Sequence, residues 1–418
     1  MAVIIVGGGI GGLATALSLH QIGVPCKIFE SVTKVAPLGV GINLLPHAVR
    51  ELTELGLRPK LARDAVATAE LAYYSKHGQL IWSEPRGEAA GYDWPQFSIH
   101  RGELQMLLYD EVLARLGPES VYSGHHLLSW EQDGEGVRAS FGERDSSAVH
   151  HVCEAEALIG ADGIHSQVRA SLYPDEPPPI WNGAVLWRGV TRALPFLTGR
   201  SMIMAGHEFQ KFVCYPITGS DHNALARINW VAERKFPVAE GWRREDWNRT
   251  GDLADFLPQF EKWNFDWLDV PSLIRGADHI YEYPMVDRDP LSRWSYGRVT
   301  LLGDAAHPMY PIGSNGASQA IVDARHLTRA IQRLGIGPEA FQAYEAERRP
   351  ATEKIVLANR GNGPEQVMQL VEERAPDGFD RINTVLTDSE LHDVAATYKR
   401  IAGFDRDELN KRRSIVSV

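Results

Sequence analysis

The chain has 418 residues, 44% of them hydrophobic and 23% charged, with a formal net charge of −11. The length exceeds the roughly 250–300 residues at which one hydrophobic core stops growing, so two joined domains are expected. The composition excludes a disordered chain, and the charge excludes a general nucleic-acid binder, which needs a basic face against phosphates.

Residues 2–6, Ala-Val-Ile-Ile-Val, form a continuous apolar, β-branched run, which suits a strand buried on both faces of a parallel sheet. A glycine cluster follows, then a helix over 13–22 stopped by Gly23, then a second strand over 25–30. This opening βαβ unit carries Gly7, Gly9 and Gly12 in a G-x-G-x-x-G frame between strand and helix, the context in which that motif binds a dinucleotide. Gly7 permits the tight turn, Gly9 leaves room for a pyrophosphate, and Gly12 lets the helix approach the strand. The helix start supplies free N–H groups for phosphate. Glu30 stands where a carboxylate accepts hydrogen bonds from an adenosine ribose, and it would repel a ribose phosphate. The unit therefore suits FAD or NAD rather than NADP.

Helices are expected over 46–57 and 101–117, short strands over 70–84, and hairpins over 120–160 ending in a buried strand at 157–159. Between 180 and 285 the chain changes character. It holds Trp181, Trp187, Trp230, Trp242, Trp247, Trp263 and Trp267, with strands expected at 184–191, 201–205, 211–217 and 225–232. This reads as a mainly β second domain, the tryptophans serving chiefly as core. A strand over 298–303 and helices over 316–334 and 338–359 follow, and the chain after Gly361 reads as one or two polar helices.

Two later loops carry chemistry. Gly160-Ala161-Asp162-Gly163 follows an apolar strand and leads through Ser166 to Arg169; a plain Asp-Gly turn is the alternative. Gly303-Asp304-Ala305-Ala306-His307-Pro308 also follows a buried strand, and Pro311-Ile312-Gly313-Ser314-Asn315-Gly316-Ala317 leads into a helix. Asp304 suits a ribityl hydroxyl, or else caps a helix. The amides near Asn315 and Gly316 could stabilise negative charge on a reduced flavin ring. Cys26, Cys153 and Cys214 are widely spaced and form no metal-ligand pattern, so no metal is expected. Their low, odd count suits a reducing compartment. With no run of about 18 apolar residues and the N-terminus read as a strand, a cytoplasmic protein with no membrane or nucleic-acid partner is expected. Asn248-Arg249-Thr250 matches a glycosylation sequon and is read as chance.

Together, the G-x-G-x-x-G with Glu30, the mid-chain Gly-Ala-Asp-Gly-x-x-Ser-x-x-Arg and the late Gly-Asp-Ala-Ala-His-Pro resemble the single-component flavoprotein aromatic hydroxylases, the para-hydroxybenzoate and salicylate hydroxylase class. Stretches at 37–43, 82–87, 98–106 and 283–291 resemble its phenazine hydroxylase branch. The resemblance implies an α/β fold: a Rossmann-like FAD-binding domain of glutathione-reductase type from residues 1–70, 100–178 and 286–362, an inserted, mainly β substrate domain from 71–99 and 179–285, and a C-terminal helical tail over 363–418. It implies FAD as cofactor and NADPH or NADH as transient co-substrate. One atom of molecular oxygen would be inserted into a small aromatic or heteroaromatic substrate such as a phenazine, quinoline or phenolic carboxylate, in a monomer or homodimer. Epoxidation, decarboxylative hydroxylation, dehydrogenation or plain binding on the same scaffold are the alternatives.

Residue by residue, the resemblance puts Gly7, Gly9, Gly11, Gly12 and Glu30 at the adenosine end, Arg101 near the phosphates, and Asp162, braced by Arg169, at the FAD and nicotinamide contacts. Asp304 falls at the ribityl and pyrophosphate region. Pro308, Pro311, Gly313, Asn315, Gly316 and Ala317 fall around the flavin ring, with Gly41 and Ile42 on its other side. No acid or base is singled out as catalytic. Trp187, Arg188, His207, Tyr215 and Met285 are candidates for the substrate pocket, with an ordinary scaffold role as the alternative for His207 and Tyr215.

Overall fold

A computed structural model describes residues 3–238 and 249–417, so Ala2, Trp242, Trp247 and Asn248 lie outside the described residues. The apolar run Val3–Val6 is wholly buried at the centre of a six-stranded sheet. It pairs in parallel with Cys26–Glu30 on one side and Ala157–Gly160 on the other, and Val299–Leu301 extends the sheet in parallel beyond that. Burial on both faces explains why these strands carry no polar alternation. The helices Ile10–Gln21 and Gly316–Leu334 pack together beside the sheet. Opposite stands an antiparallel sheet of His126–Gln132, Val137–Gly142 and His151–Ala155, joined through the stacked rings of Phe29 and Phe141, 4.0 Å apart.

All three chemical loops thus leave adjacent parallel strands at the same end: Gly7 after Val6, Ala161 after Gly160, and Leu302-Gly303 after Leu301. Ligands of open α/β sheets bind at that carboxyl edge. Gly41–Leu44, Val66–Thr68 and Gln96–His100 form a small separate sheet nearby.

The region from 180 onward contributes to a seven-stranded, mostly antiparallel sheet ordered Ala277–Asp287, Ile180–Ala193, Ala226–Lys235, Gln210–Pro216, Ser201–His207, Glu70–Tyr74, Leu80–Pro85. The four expected strands are present. The sequence reading missed the long Ala277–Asp287 strand and the helices Leu253–Phe260 and Val270–Arg275. Because side chains alternate along a strand, the sheet has two distinct faces. Val185, Trp187, Ile203, Ala205, Phe212, Cys214 and Trp230 pack against the two short helices. Leu186, Arg188, Met202, Met204, Lys211, Val213, Tyr215, Val231 and Glu233 face the opposite way, into a cavity.

The tail departs from the expectation of one or two polar helices. It forms three, Gln366–Arg374, Asp388–Ile401 and Arg406–Lys411. Val367, Met368, Val371 and Leu391 bury against Leu71, Tyr73, Ile81 and the methionines of the sheet. Tyr398, Phe404 and Leu409 bury against Leu45, Tyr92 and Ile355. The tail is therefore part of the core around the cavity. Among the described residues no helix is long and apolar enough to cross a membrane, and no group of three or more His, Cys, Asp or Glu side chains is gathered to hold a metal ion.

Candidate active site

One cavity of about 360 Å³ runs from the start of the Ile10–Gln21 helix to the open face of the seven-stranded sheet. Gly9, Gly11, Gly41, Ile42, Arg101, Asp304, Pro311, Asn315, Gly316 and Ala317 line it, as do Arg188, Tyr215 and Met285. Residues scattered over 300 positions in sequence thus meet around one space.

The glycines act differently from one another. Gly7 has φ +105°, and a Cβ there would stand 2.4 Å from the Ala161 carbonyl oxygen. A Cβ on Gly12 would stand 2.0 Å from the Gly7 carbonyl oxygen. These two shape the turn and do not line the cavity. A Cβ on Gly9 would meet nothing within 4 Å: the space before it is open to a ligand, and packing does not demand a glycine there.

The residues fit FAD. Neither the Ile10–Gln21 helix nor the Gly316–Leu334 helix has a side-chain cap, so the N–H donors that begin each are left to a ligand in the cavity. Among the described residues Asp304 accepts no hydrogen bond, and its exposed side chain stands in the cavity lining. Desolvation by the protein around it raises its pKa, with His307 and Arg101 opposing. The alternative of a helix cap fails, since Gly303–Ala305 is a single 3₁₀ turn without a side-chain cap bond. Arg101 faces Asp304 from across the cavity, its own pKa lowered by burial and supported by Asp304.

Other expected residues sit beside the cavity rather than in it. The Glu30 carboxylate accepts from Gly8 N at 2.7 Å and Val32 N at 2.9 Å, which fixes the glycine turn. Asp162 is engaged by its own loop, accepting from Ser166 Oγ at 2.5 Å and Gln167 N at 2.7 Å. Arg169 is buried and donates to the carbonyls of Ala305 at 3.1 Å and Ala306 at 3.0 Å, so it ties the mid-chain loop to the late one. Pro308 is buried behind the lining, and Gly313 turns toward the tail.

Two substrate candidates are corrected. Trp187 lies on the far face of the sheet, stacked on Phe256 at 4.8 Å and donating Nε1 to Glu282 at 3.0 Å. His207, at the end of its strand near Glu372 of the tail, is also outside the cavity lining. Trp187 and Arg188 are adjacent on one strand, so only one of them can face a given side. Arg188 takes the cavity side, donating Nη2 to the Gly41 carbonyl at 2.8 Å.

The sequence reading missed three charged groups in the lining. Lys211 and Glu233 are cross-strand partners 3.1 Å apart, and Glu365 from the tail closes on the same ammonium. Burial alone would lower the Lys211 pKa, but the two carboxylates hold it above its ordinary value. Parity along the strands points to Lys211 and Glu233, which share a face with Tyr215 and Val231. No local signal points to Glu365.

The FAD binding domain family matches residues 1–178 and 282–359. This chain belongs to that family. FAD is accordingly its cofactor, and the cavity lies where the family segments meet the inserted sheet. The chain is 47% identical over 361 residues to the phenazine 1,6-dicarboxylic acid hydroxylase of Lysobacter antibioticus, covering 86% of this chain and 89% of that one. It is 32% identical over 372 residues to a 3-amino-4-hydroxybenzoate 2-monooxygenase of Streptomyces platensis, covering 86% and 87%. In fold it matches a salicylate hydroxylase solved with its substrate, with a TM-score of 0.74 at 22% identity over 98% of this chain and 97% of the other.

Proposed function

We propose that the substrate of this FAD-dependent aromatic monooxygenase is a planar heteroaromatic carboxylate of the phenazine or quinoline kind. Arg188 carries the reading. It is a half-buried cation on the cavity face of the sheet, no carboxylate of the described residues pairs with it, unlike Lys211, and its buried Nε has no partner. A half-buried guanidinium without a counter-ion can take a carboxylate ligand as that counter-ion in a two-toothed geometry. Leu186, Met202, Met204, Val213, Val231 and Met285 offer a flat apolar surface for a ring system and keep water away from it. The 47% identity to a hydroxylase of a phenazine dicarboxylic acid supports the same class.

Bound FAD supplies the chemistry of oxygen activation, with electrons drawn from NADH or NADPH. We assign Gly9, Gly11, Arg101 and Asp304 to the phosphates and ribityl chain of FAD. Gly41, Ile42 and the residues from Pro311 to Ala317 are assigned to its ring, and Glu30 to the ribose end. Tyr215 is a donor rather than a base in this reading, because burial pushes its phenol up to about 12 even with Arg188 beside it.

The test is a screen of phenazine, quinoline and phenolic carboxylates for stimulated NADH or NADPH oxidation, with the product mass checked for one added oxygen. Methyl esters of the active compounds should fail to stimulate. Arg188→Met should lower kcat/KM for the acid about 100-fold, the worth of one buried charge-assisted contact, with little change for the ester. Equal activity on acid and ester in the wild-type protein would remove Arg188 from recognition.

A further inference from the structure

We infer that Tyr398, from the tail, is a positioning residue that holds the cavity-lining segment Pro311–Gly316 in a strained conformation and so aims the start of the Gly316–Leu334 helix at the flavin ring. This rests on the assignment of that helix start to the ring.

The strain is visible in the backbone. Gly313 has φ 68° and ψ 7°, and Ser314 follows with φ 57°. Among the described residues only Leu197, Ala224, Ser314 and Asn362 are non-glycine with positive φ, and Ser314 alone of these lines the cavity. A side chain held in that region persists only where its surroundings over-determine it. Within the segment, one backbone bond spans Ser314 N to Pro311 O at 3.1 Å. Further constraint comes from side chains outside the segment, Tyr398 of the tail and Asn359 of the Pro338–Arg360 helix.

The Tyr398 hydroxyl sits among three elements. It accepts from Asn315 Nδ2 at 3.1 Å and shares its single proton between Asn359 Oδ1 at 2.9 Å and Ile312 O at 3.1 Å. Asn359 in turn donates to the Tyr310 carbonyl at 2.9 Å, a second grip on the same segment. The other end of the Asn315 amide accepts from Gln319 at 3.2 Å, and Gln319 also donates to the Ala402 carbonyl of the tail at 3.1 Å. Asn315 is fully buried, so its side chain is a peg driven into this network while its backbone lines the cavity. The fit leaves no slack: a Cβ on Gly313 would stand 2.1 Å from the Tyr398 oxygen. Burial raises the Tyr398 pKa, which keeps the phenol protonated and able to donate.

Preorganised donors stabilise developing negative charge because they need no reorientation when it appears. Loosening them should make the bound flavin harder to reduce and should let reducing equivalents escape as hydrogen peroxide.

The test is Tyr398→Phe in the full chain loaded with FAD. We expect a more negative flavin potential by dye-coupled reductive titration. Catalase-sensitive oxygen uptake per NADH or NADPH consumed should rise about five-fold, the worth of one hydrogen bond. Asn359→Leu removes the acceptor behind the hydroxyl and should move both readouts in the same direction by less; it serves also if the first variant folds poorly. A lower Tm with unchanged potential and peroxide yield in both variants overturns the inference and leaves Tyr398 as tail packing. Gly316→Val separates the two levels: if it too leaves the flavin potential unmoved, the assignment of the helix start to the ring has failed as well.

Discussion

The glycine turn at Gly7–Gly12 and the cavity face of the seven-stranded sheet contribute to one site by opposite means. In the turn, function is written as missing atoms: Gly7 and Gly12 are required by contacts within about twenty residues or across one strand pair, and Gly9 leaves space for the ligand. On the sheet, function is written as parity. Whether a residue meets substrate or core depends on one step along the strand, and the cavity closes only when Glu365 and Tyr398 arrive from the tail. The first kind of site travels with a short motif, whereas the second exists only after folding.

The sharpest way to break this comparison is within the turn itself. Gly12→Ala places a Cβ 2.0 Å from backbone and should cost about 3 kcal/mol or more, giving little folded protein. Gly9→Val meets no protein atom with its Cβ and should fold, with an apoprotein Tm near wild type, yet bind FAD about 100-fold more weakly because its side chain fills the pyrophosphate space. If both variants failed alike in thermal melts, the distinction between a packing glycine and a ligand glycine would be lost.

Next in size is the buried brace behind the late loop. Asp323 accepts from His307 Nε2 at 2.5 Å and Arg348 Nε at 2.6 Å, all three side chains being buried. Burial alone would raise its carboxyl, but His307 and Arg348 hold it below the ordinary 3.8. A depressed carboxylate contributes stability that is complete above its unfolded value and lost as pH falls through the folded one. Asp323→Asn should therefore cost about 3–5 kcal/mol near pH 7 by urea unfolding, with the gap to wild type narrowing below about pH 4. A gap that stayed constant down to pH 3 would mean the carboxylate charge is not what braces the loop.

The parity argument predicts a split between neighbours. Trp187→Ala should cost about 3–5 kcal/mol, since it removes a fully buried ring, while KM stays near wild type in whatever fraction folds. Arg188→Met should do the reverse. A shift in KM from the tryptophan larger than that from the arginine would show that the sheet faces have been read the wrong way round.

Much of the nucleotide end was legible in the sequence. Val3–Val6, the glycines, Ala157–Gly160 and the Gly303–His307 turn announce themselves because a buried parallel strand followed by a tight loop has a local composition. Asp304 and Asn315 could be read as facing a ligand, but not their supports: Asp323, Arg348 and Tyr398 lie on helices where nothing nearby in sequence marks them. The substrate end was half legible. The four strands could be placed, yet their register could not, and a one-residue choice turned Trp187 to the wrong side. The tail looked polar because its apolar residues are spaced over three short helices, each burying only a few.

The smallest effect concerns His207, an imidazole that invites a catalytic reading. It lies at the end of Ser201–His207 outside the cavity lining, and its Nδ1 accepts from Phe209 N at 3.3 Å within a tight hairpin. Burial lowers its pKa, with Glu372 of the tail opposing. Because the ring touches neither cavity nor lining, His207→Ala should leave kcat/KM and its pH profile unchanged and shift stability by no more than about 0.5 kcal/mol. A loss of an ionisation near neutral pH in that profile would place the histidine in the proton chemistry.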